Sequence, residues 1–186
     1  MNTSSTSLKM MIYASLMAAL IAAGAYLAIP VGPVPIVLQN LFVMLAGLLL
    51  GGKWGLISTA IYLLAGAFGL PVFAGGTGGI GKFAGPTGGY LLGFAAAAFL
   101  IGVISEKAEG RVFYNVIAMI AGTLIIYAFG VSWLKVVTGM TFSKALSIGM
   151  LPFLIGDGLK IAAAIPIARA LKPLVDGQMK NTRAAA

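Results

Sequence analysis

The chain has 186 residues, of which 60% are hydrophobic and only 9% are charged, and its formal net charge is +8. Since soluble domains carry about 25% charged residues, this composition excludes a soluble globular protein and predicts an integral membrane protein. The chain contains no Cys and no His, which excludes disulfides, thiol catalysis and histidine-based metal or acid–base chemistry.

Six apolar segments, taken in chain order, predict an all-α integral membrane protein with six transmembrane helices. Their predicted bounds are residues 9–29, 36–50, 54–69, 87–105, 112–130 and 145–171. The second and third segments are short, and a tight turn at residues 51–53 joins them. We expect one transmembrane substrate-binding domain over residues 1–186. Residues 1–8 and 177–186 are predicted to be cytoplasmic tails, and the last residues are either native or partly an addition to the natural chain.

The distribution of basic residues predicts the orientation in the membrane, because cytoplasmic loops carry more Lys and Arg. Placing both termini in the cytoplasm puts eight basic residues inside and three outside, with Lys160 within the membrane. The inside set is Lys9, Lys53, Lys107, Arg111, Arg169, Lys172, Lys180 and Arg183, and the outside set is Lys82, Lys135 and Lys144. The outside connections are then residues 30–35, 69–86 and 132–144. These long loops predict a ligand pocket near the extracellular face.

The outer loops and the segments beside them supply several candidate ligand contacts. The glycine-rich stretch after residue 69 lacks the Lys-Ser/Thr pair of a phosphate-binding P-loop, so it is predicted to offer backbone amides to a ligand, or else to be a flexible loop or re-entrant turn. Tyr90 is either an interface anchor or a ligand contact, and Gly89 and Gly93 form a small-residue pair that lets helices pack closely. Gln39 either joins helices or faces the outer cavity.

Asp157 and Lys160 are the strongest candidates for a binding site. They lie three residues apart, and therefore on one side of a helix, within an almost uncharged apolar run. Because isolated charges are unfavourable in hydrocarbon, both side chains should face a partner, a cavity or a ligand. Lys160 suits a carboxylate, whereas Asp157 suits the two N–H donors of a urea or amide. The alternative is a purely structural ion pair, and the nucleophile and base of an enzyme are missing.

In the first helix, Ala14, Ala18 and Ala22 repeat every four residues. Such a smooth face permits close helix packing. It either packs internally or docks another membrane protein.

Together these motifs resemble the BioY family, the biotin-specific S components of energy-coupling-factor (ECF) transporters. The resemblance covers nearly the whole chain in the same order. Its residues are Pro33-Val34-Pro35-Ile36-Val37-Leu38-Gln39, Gly69-Leu70-Pro71-Val72-Phe73, Gly85-Pro86-Thr87-Gly88-Gly89-Tyr90-Leu91-Leu92-Gly93-Phe94 and Gly156-Asp157-Gly158-Leu159-Lys160.

The resemblance implies high-affinity biotin capture, followed by transport with a transmembrane coupling subunit and two cytoplasmic ATPases. It implies that Asp157 and Lys160 contact biotin, that Tyr90 lines the pocket, and that a first-helix alanine face docks the coupling subunit, which would be Ala14, Ala18 and Ala22. Thr77, Gly79 and Lys82 are further candidates in the glycine-rich loop. The aromatic residues Phe73 and Trp133 complement the apolar ring system of biotin.

The sequence therefore predicts a non-enzymatic, multi-pass biotin-capture subunit of a prokaryotic cytoplasmic membrane. No cofactor, metal or nucleic-acid partner is expected, and the glycine-rich loop is expected to act as a lid. Two alternatives remain open. One is an S component for another small vitamin, and the other is a solitary carrier that works without ATPases. An intramembrane enzyme is the least expected, for want of His, Cys and paired carboxylates.

Overall fold

In the computed structural model, which describes the backbone of residues 3–30, 32–107 and 111–184, five runs of helix are long and apolar enough to cross a membrane. In chain order the elements are α1 (Thr3–Tyr26), β1 (Ala28–Ile29), β2 (Ile36–Val37), α2 (Gln39–Ala67), α3 (Gly81–Ala84), α4 (Gly88–Lys107), α5 (Val112–Thr138), α6 (Phe142–Gly149), a 3-10 turn (Leu151–Phe153) and α7 (Leu154–Ala184). The five runs are α1, α2, α4, α5 and α6 together with α7.

The chain reverses direction inside α2, at Gly51. This residue has φ 80° and ψ −179°, a left-handed conformation that favours glycine. Residues eight apart in a straight helix are separated by about 12 Å. A Cβ atom on Gly55 would nevertheless lie only 3.1 Å from the Cα atom of Gly47. The two halves of α2 therefore fold against each other, and the tight turn predicted at residues 51–53 is confirmed.

The α4 and α5 helices pack closely through the predicted small residues of α4. A Cβ atom on Gly89 would lie 2.4 Å from the carbonyl oxygen of Phe129, and one on Gly93 would lie 3.0 Å from the Cα atom of Ile126. These distances leave no room for a larger side chain, so the prediction of close packing at Gly89 and Gly93 is confirmed. Side chains at the helix contacts, including Met44, Leu48, Ile101, Met119 and Ile126, form the core and are fully buried.

Three predicted boundaries are wrong. The first apolar segment was expected to remain helical to residue 29, but α1 ends at Tyr26 and residues 28–29 pair with residues 36–37 as β1 and β2. The outer loop predicted at residues 132–144 is mostly helix, because α5 continues to Thr138 and α6 begins at Phe142. The last segment is not one helix from residue 145 but comprises α6, the 3-10 turn and α7. Polar residues such as Ser132 and Lys135 suggest a loop, yet they lie on exposed parts of α5.

The alanine face of α1 points into the protein. Ala14 is completely buried and Ala18 is 5% exposed, while Ala22 is half-buried. Ala14 and Ala18 therefore pack internally, and the three alanines together do not present an exposed face for docking. The exposed small residues of the helix lie one position further along the chain, at Ser15, Ala19 and Ala23.

The two ends of the helix bundle carry different amounts of positive charge. The end that holds β1, β2, α3 and α6 carries Lys82, Lys135 and Lys144. The opposite end holds the Gly51 turn, where a Cβ atom would lie against Glu106. The basic residues described at that end are Lys9, Lys53, Lys107, Arg111, Arg169 and Lys172. This separation matches the two groups assigned from the sequence.

Candidate functional site

A cavity of about 570 Å³ lies at the less basic end of the bundle. It is enclosed by the segment from Pro33 to Asn40, by the loop and helix start from Phe73 to Leu91, and by parts of α5 and α7. Its lining is largely apolar, with aromatic side chains and a small number of polar groups. This composition is typical of a site for a small organic ligand.

Asp157 and Lys160 form a buried ion pair in the wall of this cavity. Both belong to the first two turns of α7, which starts after the 3-10 turn, and the Lys160 Nζ atom lies 2.9 Å from Asp157 Oδ1. Asp157 is 2% exposed and Lys160 is 8% exposed. The helix N-terminus favours a negative charge, which helps to stabilise the Asp157 carboxylate at this position.

Tyr127 of α5 provides the second partner of Asp157. Its hydroxyl group donates a hydrogen bond to Asp157 Oδ2, so each carboxylate oxygen already has one donor. A carboxylate has about four lone-pair positions and an ammonium group has three donors. Asp157 can therefore accept further hydrogen bonds, and Lys160 has two donors left. The pair is held in place but retains capacity for both an N–H group and an oxygen of a ligand.

Tyr90 lines the cavity with its ring, but its hydroxyl group is already engaged. The hydroxyl donates to the carbonyl oxygen of Gly149 at 2.7 Å and so ties α4 to α6. The ring lies directly over Gly130, where a Cβ atom would come within 2.2 Å of it. Tyr90 is therefore positioned to contact a ligand through its ring face.

The glycine-rich loop closes one side of the cavity. Phe73 and Thr77 pair across a short backbone bridge, and the Thr77 hydroxyl donates to Ala74 at 3.1 Å. The Phe73 ring is 3% exposed and packs edge-on against Tyr62, with 5.5 Å between ring centroids. Lys82 on α3 is half-buried and lines the same side. The loop is thus anchored by its own aromatic residue, while Thr77 and Lys82 contribute to the lining of the cavity.

Gln39 and Asn40, at the start of α2, bring unpaired polar atoms to the cavity. Gln39 Nε2 and Asn40 Oδ1 are both buried and make no hydrogen bond of regular geometry within the described protein, although the Gln39 side chain lies close to the Tyr62 hydroxyl group. Since a buried polar atom without a partner is unfavourable, these two atoms are available to a ligand or to water.

The structure brings seven of the nine predicted ligand-binding residues to this one cavity. They are Asp157, Lys160, Tyr90, Thr77, Lys82, Phe73 and Gln39. Gly79 and Trp133 do not line it, and their prediction as direct contacts is not supported by their positions. Gly79 has φ 97° and donates its N–H to Gly66 at 2.7 Å, so it shapes the loop. The Trp133 indole donates to the Gly85 carbonyl at 3.0 Å from outside the cavity.

Sequence reasoning missed several cavity residues. The most important is Tyr127, together with the apolar side chains Phe94, Ile126 and Phe153. A hydroxyl group in the middle of an apolar helix needs a partner, and that signal could have pointed to Tyr127. Phe94 and Phe153 are indistinguishable in the sequence from core residues. Among the described residues, no cluster of acidic side chains could hold a metal ion.

A family model described as the BioY family matches residues 1–177. The chain belongs to the BioY family. Among its relatives, the biotin transporter BioY of Thermotoga maritima is 45% identical over 167 residues, which cover 90% of this chain and 98% of that protein. The probable biotin transporter BioY of Pyrococcus horikoshii is 43% identical over 158 residues, covering 85% and 93% of the two chains. Because these BioY relatives are named as transporters, the family is one of transport proteins and not of enzymes.

The fold of this BioY protein is also that of a solved structure. The crystal structure of an S component for biotin from an ECF-type ABC transporter superimposes with a TM-score of 0.85 at 35% sequence identity. The match covers 92% of this chain and 94% of the other. The all-helical membrane fold predicted from the sequence is therefore confirmed as an S-component fold.

Proposed function

We propose that this protein captures biotin from outside the cell as the S component of an ECF-type ABC transporter. The observation that carries the proposal is the buried Asp157–Lys160 pair in the wall of a 570 Å³ cavity, within a chain that belongs to the BioY family. Its named relatives are biotin transporters.

The chemistry of biotin complements the polar groups of the cavity. Biotin has a cyclic urea with two N–H donors, one carboxylate, and an apolar ring and chain between them. Asp157 has acceptor capacity left for an N–H group, and Lys160 has donors left for an oxygen atom. Phe73, Tyr90 and Phe94 offer apolar surface for the rest of the molecule. The side-chain amides of Gln39 and Asn40 at the start of α2 are further candidates for contact with whichever polar end of biotin does not reach Asp157 and Lys160.

The glycine-rich loop serves as the lid over the bound vitamin in this proposal. Residues 69–87 include glycines with positive φ at 69, 75, 76 and 79, which allow tight turns before α3. The loop carries Thr77 and Lys82 on the cavity side. Trp133 supports the proposal indirectly, because its hydrogen bond to Gly85 holds the C-terminal end of the lid against α5.

We place the protein in a prokaryotic cytoplasmic membrane with six crossings, both termini in the cytoplasm and the cavity near the extracellular face. Each half of α2 then crosses once, with the Gly51 turn on the inside. The distribution of basic residues between the two ends supports this orientation. The partners are a transmembrane coupling subunit and two ATPases. The exposed stripe formed by Ser15, Ala19 and Ala23 replaces the buried alanine face as the candidate docking surface.

Calorimetric titration of the purified protein with biotin and with biotin methyl ester tests the proposal. We expect tight binding of biotin. If the ester does not bind, the carboxylate of biotin makes a charged contact, and Lys160 is the leading candidate for it. If both compounds bind equally, the carboxylate of biotin does not contact Lys160. If folded protein bound neither compound but bound another vitamin, the assignment to biotin would be wrong. Biotin uptake into vesicles that contain this chain alone would instead favour a carrier that works without ATPases.

A further inference from the structure

A second cavity, of about 460 Å³, lies at the opposite end of the bundle from the Asp157–Lys160 pair. Its walls are the first turn of α5 and the stretch of α7 from Ile165 to Gly177, together with Leu48 of α2. The charged residues that line it are Arg169, Lys172 and Asp176. None of its lining residues takes part in the cavity proposed for biotin, so vitamin binding does not account for it.

Among the described residues, which leave out 108–110, the two cations of this cavity have no carboxylate partner. Arg169 and Lys172 are three residues apart and so lie on one side of α7. Lys172 is half-buried and donates only to the Ser105 hydroxyl, at 3.4 Å. No carboxylate of the described chain lies within the 4.0 Å of an ion pair from either side chain. The cavity therefore has positive charge available for a ligand.

The cavity also has hydrogen-bond acceptors without donors. Asn115 Oδ1 is buried and has no partner in the described chain. Pro173 has no N–H group, so the carbonyl of Arg169 lacks its usual helical hydrogen bond. Asp176 adds a carboxylate. A fitting ligand needs hydrogen-bond donors as well as negative charge. An Asn115 amide turned the other way would offer its NH₂ group to an anionic oxygen instead.

We propose that this cavity binds the headgroup of a phospholipid of the phosphatidylglycerol class. The formal charges of the lining residues are two positive (Arg169, Lys172) and one negative (Asp176), a net charge of +1. A phosphoglycerol headgroup complements this with one negative charge. Its phosphate lies between Arg169 and Lys172, and its glycerol hydroxyls donate to Asn115 and Asp176. Arg suits phosphate because its planar group can donate two parallel hydrogen bonds.

The surroundings of the cavity favour a membrane lipid over a soluble anion or a protein segment. Large apolar side chains beside the lining residues are exposed, with Phe113 at 71%, Leu174 at 65% and Leu171 at 41%. On a helix that crosses a membrane these side chains contact acyl chains. Lys172 lies fifteen residues after Asp157, about 22 Å along the helix, and so at the level of the other bilayer surface. Basic pockets at that level commonly hold anionic headgroups.

Native mass spectrometry of the purified full-length protein tests this proposal. Phosphatidylglycerol, phosphatidylethanolamine and phosphatidylcholine with identical acyl chains are added at equal concentrations. The test variant is Arg169→Gln with Lys172→Gln, and the matched control is Lys53→Gln with Lys107→Gln, which removes two exposed cations from the same end. We expect the parent protein to retain more phosphatidylglycerol than the other two lipids. This preference should fall by at least about tenfold in the test variant and stay unchanged in the control. Asn115→Leu should also weaken retention.

Biotin titration of each variant shows whether it is folded. A variant that loses lipid binding but still binds biotin has therefore lost it through the change in this cavity and not through unfolding. Equal retention of all three lipids, or undiminished retention by the test variant, would overturn the proposal. Competition by glycerol 3-phosphate as strong as that by a short-chain phosphatidylglycerol would assign the cavity to a soluble phosphate and also overturn it. A polyglutamate peptide that displaced the lipid at lower concentrations than short-chain phosphatidylglycerol does would point to an acidic protein partner instead.

Discussion

Tyr127 of α5 donates its hydroxyl hydrogen to the Asp157 carboxylate of α7, thirty residues further along the chain. This hydrogen bond joins two helices at the wall of the cavity. It also leaves the Asp157 carboxylate held from one side by Tyr127 and from the other by Lys160.

Replacing Tyr127 with Phe should weaken biotin binding by about tenfold to a hundredfold. A hydrogen bond to a charged group contributes about 1.5–3 kcal/mol, and its loss also frees the carboxylate to turn away from the ligand. Calorimetry on Tyr127→Phe measures the effect. Tyr114→Phe, an exposed tyrosine on the same helix, is the control and should bind normally. Unchanged affinity in Tyr127→Phe would mean that the hydrogen bond from Tyr127 to Asp157 does not contribute to ligand binding.

Asp157→Asn and Lys160→Met should each weaken biotin binding by more than tenfold, because each removes a ligand partner and leaves the other charge buried and unpaired. Calorimetry measures the affinity, and Lys144→Met is the matched control because Lys144 is exposed on α6.

Combining Asp157→Asn with Lys160→Met separates binding from stability. The double variant has no unpaired charge, so we expect its thermal stability to exceed that of either single variant while biotin binding remains lost. Near-normal affinity in both single variants would refute the assignment of this site.

The proposed orientation can be tested cleanly because the 186-residue sequence contains no Cys. Lys144→Cys should react with a membrane-impermeant maleimide in intact cells, whereas Lys53→Cys should react only after the membrane is permeabilised. Both side chains are exposed at opposite ends of the bundle, so the two variants differ in which side of the membrane they face. The reverse labelling pattern would place the cavity on the cytoplasmic side.

Ala19→Trp should prevent assembly with the coupling subunit without affecting biotin binding. Ala19 is exposed in the middle of the small-residue stripe of α1, where a large side chain blocks close helix packing. Co-purification of tagged coupling subunit measures assembly. Ala128→Trp, also exposed but on α5, is the control and should assemble normally. If Ala19→Trp assembled like the parent protein, the coupling subunit would dock elsewhere.

Gly51→Ala should destabilise the protein by about 1–2 kcal/mol, because an L-residue is strained at φ 80°. The added Cβ atom would also press on the Glu106 side chain. Thermal unfolding in detergent measures the loss. Gly156→Ala is the control, since it lies in a helix with no atom within 4 Å of the new Cβ, and it should be neutral or slightly stabilising. Equal stability of the two variants would contradict the strained turn at Gly51.

Local relationships in the chain were predictable from sequence, and distant ones were not. The Asp157–Lys160 pair depends only on helical spacing, and the Gly51 turn depends on two adjacent glycines followed by Lys53. The partnership of Tyr127 with Asp157 depends on how α5 packs on α7, which no spacing reveals. The position of Tyr90 at the outer end of α4 left open whether it is an interface anchor or a ligand contact, and the resemblance to a family implied the second.

The alanine face shows the same limit on a single helix. Ala14 and Ala18 are buried, while Ser15 and Ala19, one position later, are exposed. One position corresponds to a rotation of about 100° around the helix. In a membrane both stripes are small and weakly polar, so hydropathy does not distinguish inside from outside. Only the packing of α1 on its neighbours decides which stripe is available to a partner.

Both members of the ion pair belong to α7 and lie less than one turn apart, so no movement of one helix against another can pull them apart. Asp157 and Lys160 therefore move together with α7 in any rearrangement of the helices. The contact with Tyr127, by contrast, crosses from α5 to α7 and must stretch if those helices separate. A separation of α5 from α7 would thus break the hydrogen bond between a neutral hydroxyl group and a carboxylate, and the two opposite charges would stay paired inside the membrane.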